Sequence, residues 1–540
     1  MRHALLLAAS LLAAAPASAE GPVVRAPAGA VEGRAEGRLR VFRGIPYALP
    51  PVGAKRWTAP VAVPDWTGTR KATDFGPACV QPRGRNSGIY ANPPARMSED
   101  CLTLNVWAPA HATKAPVIVW IHGGALLSGY SHEPMYDAAR MAATGAVVVS
   151  INYRLGPLGY LAHPGLSAEA ADGVSGNYGL RDQIAALEWV RRNIATFGGD
   201  PANVTIAGES AGGLSVMYLM ASPPARGLFA KAIAQSAYMV TTPELKATRH
   251  GLPSAETAGA TLAAALGAPD LAGLRAMDAD KLTAGALAKG WLPWGTVDGK
   301  LLPRQLVETW DRGEQAPVPL IAGFNAGEIR SLGVLLPPAP PSAAAYEEVI
   351  RARYGSLANA FLAQYPSRTM AESMLAASRD AMYGWTSTRL AIGQTAIGQR
   401  GFLYFFDHGY PAADDNGLHA FHAAEIPYVF GTPDKTPPLW PRVPDTLTER
   451  RLSDAMLGYW TSFAATGTPV AKGAPAWQPY GGEANYMAFV ARPEPRRKLL
   501  PGMFALHEAA VCRRRAAGDQ PWNWNTGVAS PVLAPAKDCR

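Results

Sequence analysis

Ser210 sits in Gly208-Glu209-Ser210-Ala211-Gly212, a Gly-x-Ser-x-Gly pentapeptide between a β-branched run at 204–207 and a helix-forming run at 214–220. Strand, tight turn and helix together lift a serine hydroxyl above a sheet edge, and glycines flank it because side chains would crowd the turn. Such a pentapeptide arises by chance in many chains, so its weight comes from this setting. A serine hydroxyl is a poor nucleophile at its own pKa. It needs an adjacent base, and the base needs an orienting acid. On an elbow of this kind the acid and then the base follow the serine along the chain. Two acids fall in suitable stretches: Asp298 in Val297-Asp298-Gly299, and Glu328 just beyond the apolar run at 320–324. Two histidines follow, His419 and His422.

Several elements must bring these residues together. Near-continuous apolar runs at 116–121 and 146–151 read as central strands of a parallel sheet, and the first ends in His122-Gly123-Gly124-Ala125. Runs at 231–234, 318–323 and 401–406 read as further strands. The spacing of Ile184, Leu187, Val190, Ile194 and Phe197 predicts a helix over 181–197, stopped by Gly198-Gly199. Strands alternating with helices predict an α/β fold with a mostly parallel sheet covered on both faces. The Pro-rich stretch at 336–341 breaks the chain before a helical excursion at about 343–398, expected beside the pocket mouth. No linker and no internal repeat divides the chain, so 20–540 reads as one domain.

The 540 residues are 48% apolar and 17% charged, enough for a large core and far from a disordered composition. The formal charge of +8 is scattered, apart from Arg496-Arg497-Lys498 and Arg513-Arg514-Arg515, and reads as solvated surface with no nucleic-acid motif. Residues 1–19 read as a secretory leader, with Arg2 at its start, an apolar run at 4–15 and a cut after Ala17-Ser18-Ala19. Glu20 in place of a cysteine suggests no lipid anchor, and no later run is long enough for a stable membrane anchor. A secreted or periplasmic protein is expected. The four cysteines, an even number in an exported chain, favour disulfides over a metal site, since none has close zinc-type spacing. No phosphate loop, dinucleotide fingerprint or metal-ligand cluster appears, so no cofactor is expected.

The run from Asn177-Tyr178-Gly179-Leu180-Arg181-Asp182 through Phe197-Gly198-Gly199-Asp200-Pro201 into the Ser210 elbow resembles the type-B carboxylesterases, the family that includes the cholinesterases. The resemblance covers nearly all the chain after the leader. It implies the α/β-hydrolase fold and a serine esterase acting on small-molecule esters. It favours His422 as base, because the family's histidine stands three residues before a Glu followed by an apolar residue and Pro, as in Glu425-Ile426-Pro427. It favours Glu328 as acid, although the family's Asp-Glu-Gly is here Gly327-Glu328-Ile329, and it gives Asp298 a structural turn. It places backbone donors for the oxyanion at Gly123, Gly124 and Ala211, and gives Glu209 and Ser236 supporting roles around the triad. The Gly-Gly-Ala form belongs to members that often accept bulky esters.

The resemblance also implies disulfides Cys79–Cys101 and Cys512–Cys539, each closing a loop worth roughly 3 kcal/mol. It further implies ion pairs Arg56–Glu99 and Arg154–Asp182. His122 is expected to be structural. Trp291, Trp294, Tyr383, Trp385 and Phe421 are candidates for an apolar pocket, with core packing the alternative for each. Arg330 is a candidate partner for an anionic acyl group. Two rival functions remain at this level: a cholinesterase-like binding protein without catalysis, and a lipase working at lipid surfaces.

Overall fold

The computed structural model describes residues 21–83, 88–523 and 525–539; the expected leader, residues 1–19, lies outside the described residues. An eleven-stranded sheet organises the chain. Its strands are β1 (Arg34–Glu36), β2 (Leu39–Pro46), β3 (Thr103–Pro109), β4 (Ala115–Ile121), β5 (Val147–Ile151), β6 (Gly199–Glu209), β7 (Lys231–Gln235), β8 (Leu320–Asn325), β9 (Gly401–Phe406), β10 (Asn485–Phe489) and β11 (Pro493–Arg497). Across the sheet they run β11-β10-β9-β8-β7-β6-β4-β5-β3-β2-β1. Every neighbouring pair from β10 across to β5 is parallel, and the pairs at the two margins are antiparallel.

The central strands are apolar on consecutive residues because both faces are covered. Val117, Val119 and Ile121 of β4 enter one core while Ile118 and Trp120 enter the other, the period-two alternation of a pleated strand. On one face lie α1 (Tyr178–Asn193) and α2 (Ala211–Ala221), the latter buried at every residue. The expected helix over 181–197 begins earlier and ends as a tighter turn, Ile194–Phe197. It starts at Tyr178 because Asn177 takes a left-handed conformation, φ 54°, with its side-chain amide donating to Thr296 and Asp298 across the fold.

Between β8 and β9 the chain forms α3 (Ala343–Tyr354), α4 (Ala358–Gln364), α5 (Met370–Arg379) and α6 (Trp385–Ala396). The last two are joined by a π-helical turn, Asp380–Gly384. Next come α7 (Leu447–Thr466), which packs over the second face through Met456, Trp460 and Phe463, and α8 (Met503–Ala517). Both disulfides form, Cys79–Cys101 and Cys512–Cys539. The two internal ion pairs also form as two-pronged contacts: Arg56 to Glu99 at 2.7 and 2.6 Å, and Arg154 to Asp182 at 2.8 and 2.7 Å. No helix among the described residues is long and apolar enough to cross a membrane.

Candidate active site

β6 ends at Glu209 and α2 begins at Ala211, so Ser210 occupies the corner, with φ 57° and ψ −121°. That is a strained conformation for a residue with a Cβ. It is held from both sides: Ser210 N–H donates to Gln235 O at 2.9 Å, and Ser210 O accepts from Leu214 N–H at 2.9 Å. The corner can be this tight because a Cβ on Gly212 would stand 2.1 Å from Ile121 O. The β4 loop approaches equally closely, since a Cβ on Gly123 would lie 3.2 Å from Ser210 Cβ. Gly123 and Gly124 line the cavity above Ser210, and neither N–H is spent on a described carbonyl. Ala211 opens α2, where the helix supplies no partner for its N–H.

The expected acid and base meet. His422 Nδ1 lies 2.5 Å from Glu328 Oε2, and Glu328 Oε1 accepts from Asn325 N–H at 2.8 Å. Their loops are stitched together by Gly327 N–H to Ala420 O at 2.7 Å and by Asn325 Nδ2 to Phe421 O at 2.8 Å. This accounts for glycine at 327 in place of Asp: any Cβ there would fall 2.6 Å from Leu418 O. Tyr90 fixes the backbone of His422 from the other side, its hydroxyl donating to His422 O at 2.8 Å. Tyr383, delivered by the π turn, sets its ring 5.5 Å from the imidazole.

His422 Nε2 lies 3.1 Å from Glu209 Oε1, and Ser210 Oγ makes no hydrogen bond to a described residue. Burial disfavours a charged imidazole here, but the Glu209 and Glu328 carboxylates outweigh it and raise His422 to about 9. Burial pushes Glu209 up to about 8, against the pull of His422. The two groups titrate as a pair.

The other expected residues fall as follows. Asp298 accepts three successive backbone N–H groups, of Lys300, Leu301 and Leu302, and caps a turn. His419 lies between Asp407 and Asp414, partly exposed. His122 stacks on Tyr153 and is buried, which lowers it to about 4 and keeps it neutral. Arg330 pairs with Glu372 rather than facing the cavity. Trp294 and Tyr383 line the cavity, whereas Trp385 and Phe421 are core residues and Trp291 packs against the core.

Ser236 departs from its expected part. Its buried Oγ has no hydrogen-bond partner among the described residues; its N–H donates to Gly323 O at φ 43°, and the neighbouring Gln235 is the side chain that meets a carboxylate. Gln235 Nε2 donates to Glu425 Oε1 at 2.9 Å, and Asn325 Nδ2 donates to Glu425 Oε2 at 2.6 Å. Glu425 is thus a second buried carboxyl supporting the loops that carry Glu328 and His422. The sequence showed it only as the marker that selects His422.

These groups open into a cavity of about 380 Å³, within the usual range for small-molecule sites. Its walls include Tyr90, Tyr130, Glu133, Tyr136, Trp294, Leu335, Met382 and Trp440 as well as Ser210, Glu209 and His422.

The chain matches the model of the carboxylesterase family over residues 20–501 and belongs to that family; it is a carboxylic ester hydrolase of the α/β-hydrolase fold. Among curated relatives it is 36% identical to a para-nitrobenzyl esterase of Bacillus subtilis (strain 168), covering 83% of this chain and 90% of that one. It is 35% identical to a fumonisin B1 esterase of Sphingopyxis macrogoltabida, covering 82% of this chain and 81% of that one. A solved para-nitrobenzyl esterase structure superposes with a TM-score of 0.75 at 32% identity, over 88% of this chain and 97% of the other.

Proposed function

We propose that Ser210 is the nucleophile, His422 its base and Glu328 the orienting acid of a two-step hydrolysis through an acyl-enzyme. The contact between His422 Nδ1 and Glu328 Oε2 carries this reading. It occupies one ring nitrogen and leaves Nε2 to serve the cavity that Ser210 also lines. In the resting site Nε2 rests against Glu209; a substrate carbonyl seated over Gly123 brings the serine hydroxyl into that contact, since such hydrogen bonds commonly tighten on binding. Ser210 Oγ then attacks the carbonyl carbon and its proton passes to Nε2. The oxyanion takes the N–H groups of Gly123, Gly124 and Ala211. The alcohol departs with the proton from Nε2, and water repeats the sequence to release the acid and restore Ser210.

The cavity volume and the Gly123-Gly124-Ala125 loop favour bulky esters, in keeping with the para-nitrobenzyl and fumonisin substrates that two relatives are named for. The two disulfides favour an exported protein, and the sequence of residues 1–19 places its cut after Ala19. The helices α3–α6 belong to the same catalytic unit, since Met382 and Tyr383 form part of the cavity wall. An ester panel varying acyl and alcohol parts tests the function. Turnover of at least some members by the wild type and its loss in Ser210→Ala support it, and equal turnover by both proteins refutes it.

A further inference from the structure

Glu133 is a half-buried carboxyl in the cavity wall for which the described residues supply no counter-charge. It precedes the short turn Pro134–Tyr136 and lines the cavity together with Glu209, Ser210 and His422. Five of the six buried carboxyls among the described residues are matched, the exception being Glu209, whose Oε1 faces His422 without a hydrogen bond. Asp182 takes Arg154, Asp380 takes Arg379, Glu449 takes His408, Glu328 takes His422, and Glu425 accepts from the amides of Gln235 and Asn325. Glu133 forms no ion pair with a described residue, and Asn92 is its side-chain hydrogen-bond partner. Burial pushes it up to about 8, against that bond from Asn92. Unmatched in such a place, the carboxyl holds its proton up to about pH 8 and ionises at lower pH when something arriving from outside supplies the opposite charge.

The surroundings suit a cation. Tyr130 and Tyr136 line the cavity beside Glu133, and the acidity of each is weakened by burial and, after it, by the Glu133 charge. Their ring faces can attract an ammonium group as the carboxylate does. Glu209 adds a second carboxyl to the same wall, close enough for Glu133 to raise its pKa. No lysine or arginine among the described residues lines the cavity, although the chain as a whole carries a formal charge of +8.

We propose that Glu133 receives a protonated amine of the substrate, so that the cavity selects esters bearing an ammonium group over neutral esters of the same shape. This rests on Ser210 being the nucleophile of the cavity and deepens that reading by naming a substrate class.

The test uses ester pairs that differ in one terminal group, dimethylammonium or isopropyl. One pair carries it on the alcohol and another on the acyl side. The quantity read is the ratio of kcat/KM, cationic over neutral, within each protein, so a general loss of activity cancels. Active sites are counted with a neutral fluorophosphonate, which separates misfolding from lost selectivity. A hydrogen bond to a charged group is worth enough for a ratio of about 10–100 in the wild type. Glu133→Gln should bring the ratio close to one, and Glu133→Asp should keep part of it. A wild-type ratio of one or less in both pairs overturns the proposal. So does a ratio that survives Glu133→Gln, which would move the ammonium to Glu209. If neutral esters are hydrolysed without any preference, this proposal fails alone; if no ester is hydrolysed and Ser210 resists the probe, the nucleophile assignment fails first.

Discussion

His422 Nε2 stands 3.1 Å from Glu209 Oε1, so the ring nitrogen assigned to the serine proton also faces a buried carboxyl. The arrangement gives Glu209 a direct hold on the basicity of the imidazole.

That hold sets the pH dependence. His422 must be neutral to accept a proton, and it is raised from 6.5 to about 9, so kcat/KM should climb through pH 7 to 9 rather than level off near 7. Glu209 raises the imidazole, so Glu209→Gln should move this acid limb to lower pH and make the variant relatively more active at pH 6. A limb that stays in place, or moves upward, would show that Glu209 does not act on His422.

Glu328→Gln keeps the shape of the buried acid and its capacity to accept from Asn325 N–H, but removes the charge that orients the imidazole. By analogy with triads where the acid becomes an amide, kcat should fall about 10³–10⁴-fold, with little change in the thermal midpoint. Steady-state kinetics and a melting curve on the same preparation check both halves.

Asn325→Ala deletes the donor to Phe421 O and to Glu425 Oε2 together. Leaving buried acceptors unpaired costs about 1–3 kcal/mol each, so urea unfolding should show a loss of that order. Turnover should drop as well, because the bond to Phe421 helps hold His422.

The Cys79–Cys101 bridge, with a sequence separation of 22, closes the loop that carries Tyr90 to the cavity wall and to His422 O. Replacing both cysteines by serine should cost roughly 3 kcal/mol of stability. It should also lower kcat/KM by freeing Tyr90. A variant with lower stability and unaltered kinetics would show that Tyr90 holds its place without the bridge.

The parts of the fold legible in the sequence are those with local signals. Consecutive apolar residues at 116–121 and 146–151 marked strands buried on both faces, and both lie in the sheet as β4 and β5. The elbow was readable because strand, Gly-x-Ser-x-Gly and helix are contiguous. The short marginal strands β1 and β11 were not, since three to five half-exposed residues carry too little pattern. The π turn Asp380–Gly384 was also hidden: it leaves the helical periodicity almost unbroken while re-aiming Tyr383 at His422. Around the site, the loop polar network could not be read either. Gln235 and Glu425 bond across 190 positions, and Tyr90 reaches His422 across 332. Glu133 carries no motif at all; its interest comes from what surrounds it in space.

The central claim is that the hydroxyl at 210 is a nucleophile made reactive by His422. Intact-mass and peptide mass spectrometry after a brief reaction with a fluorophosphonate read this directly. The predicted result is one adduct per chain on the peptide containing Ser210, absent in Ser210→Ala and much slower to form in His422→Ala. An unmodified wild-type protein, or an adduct on any other residue, would contradict it.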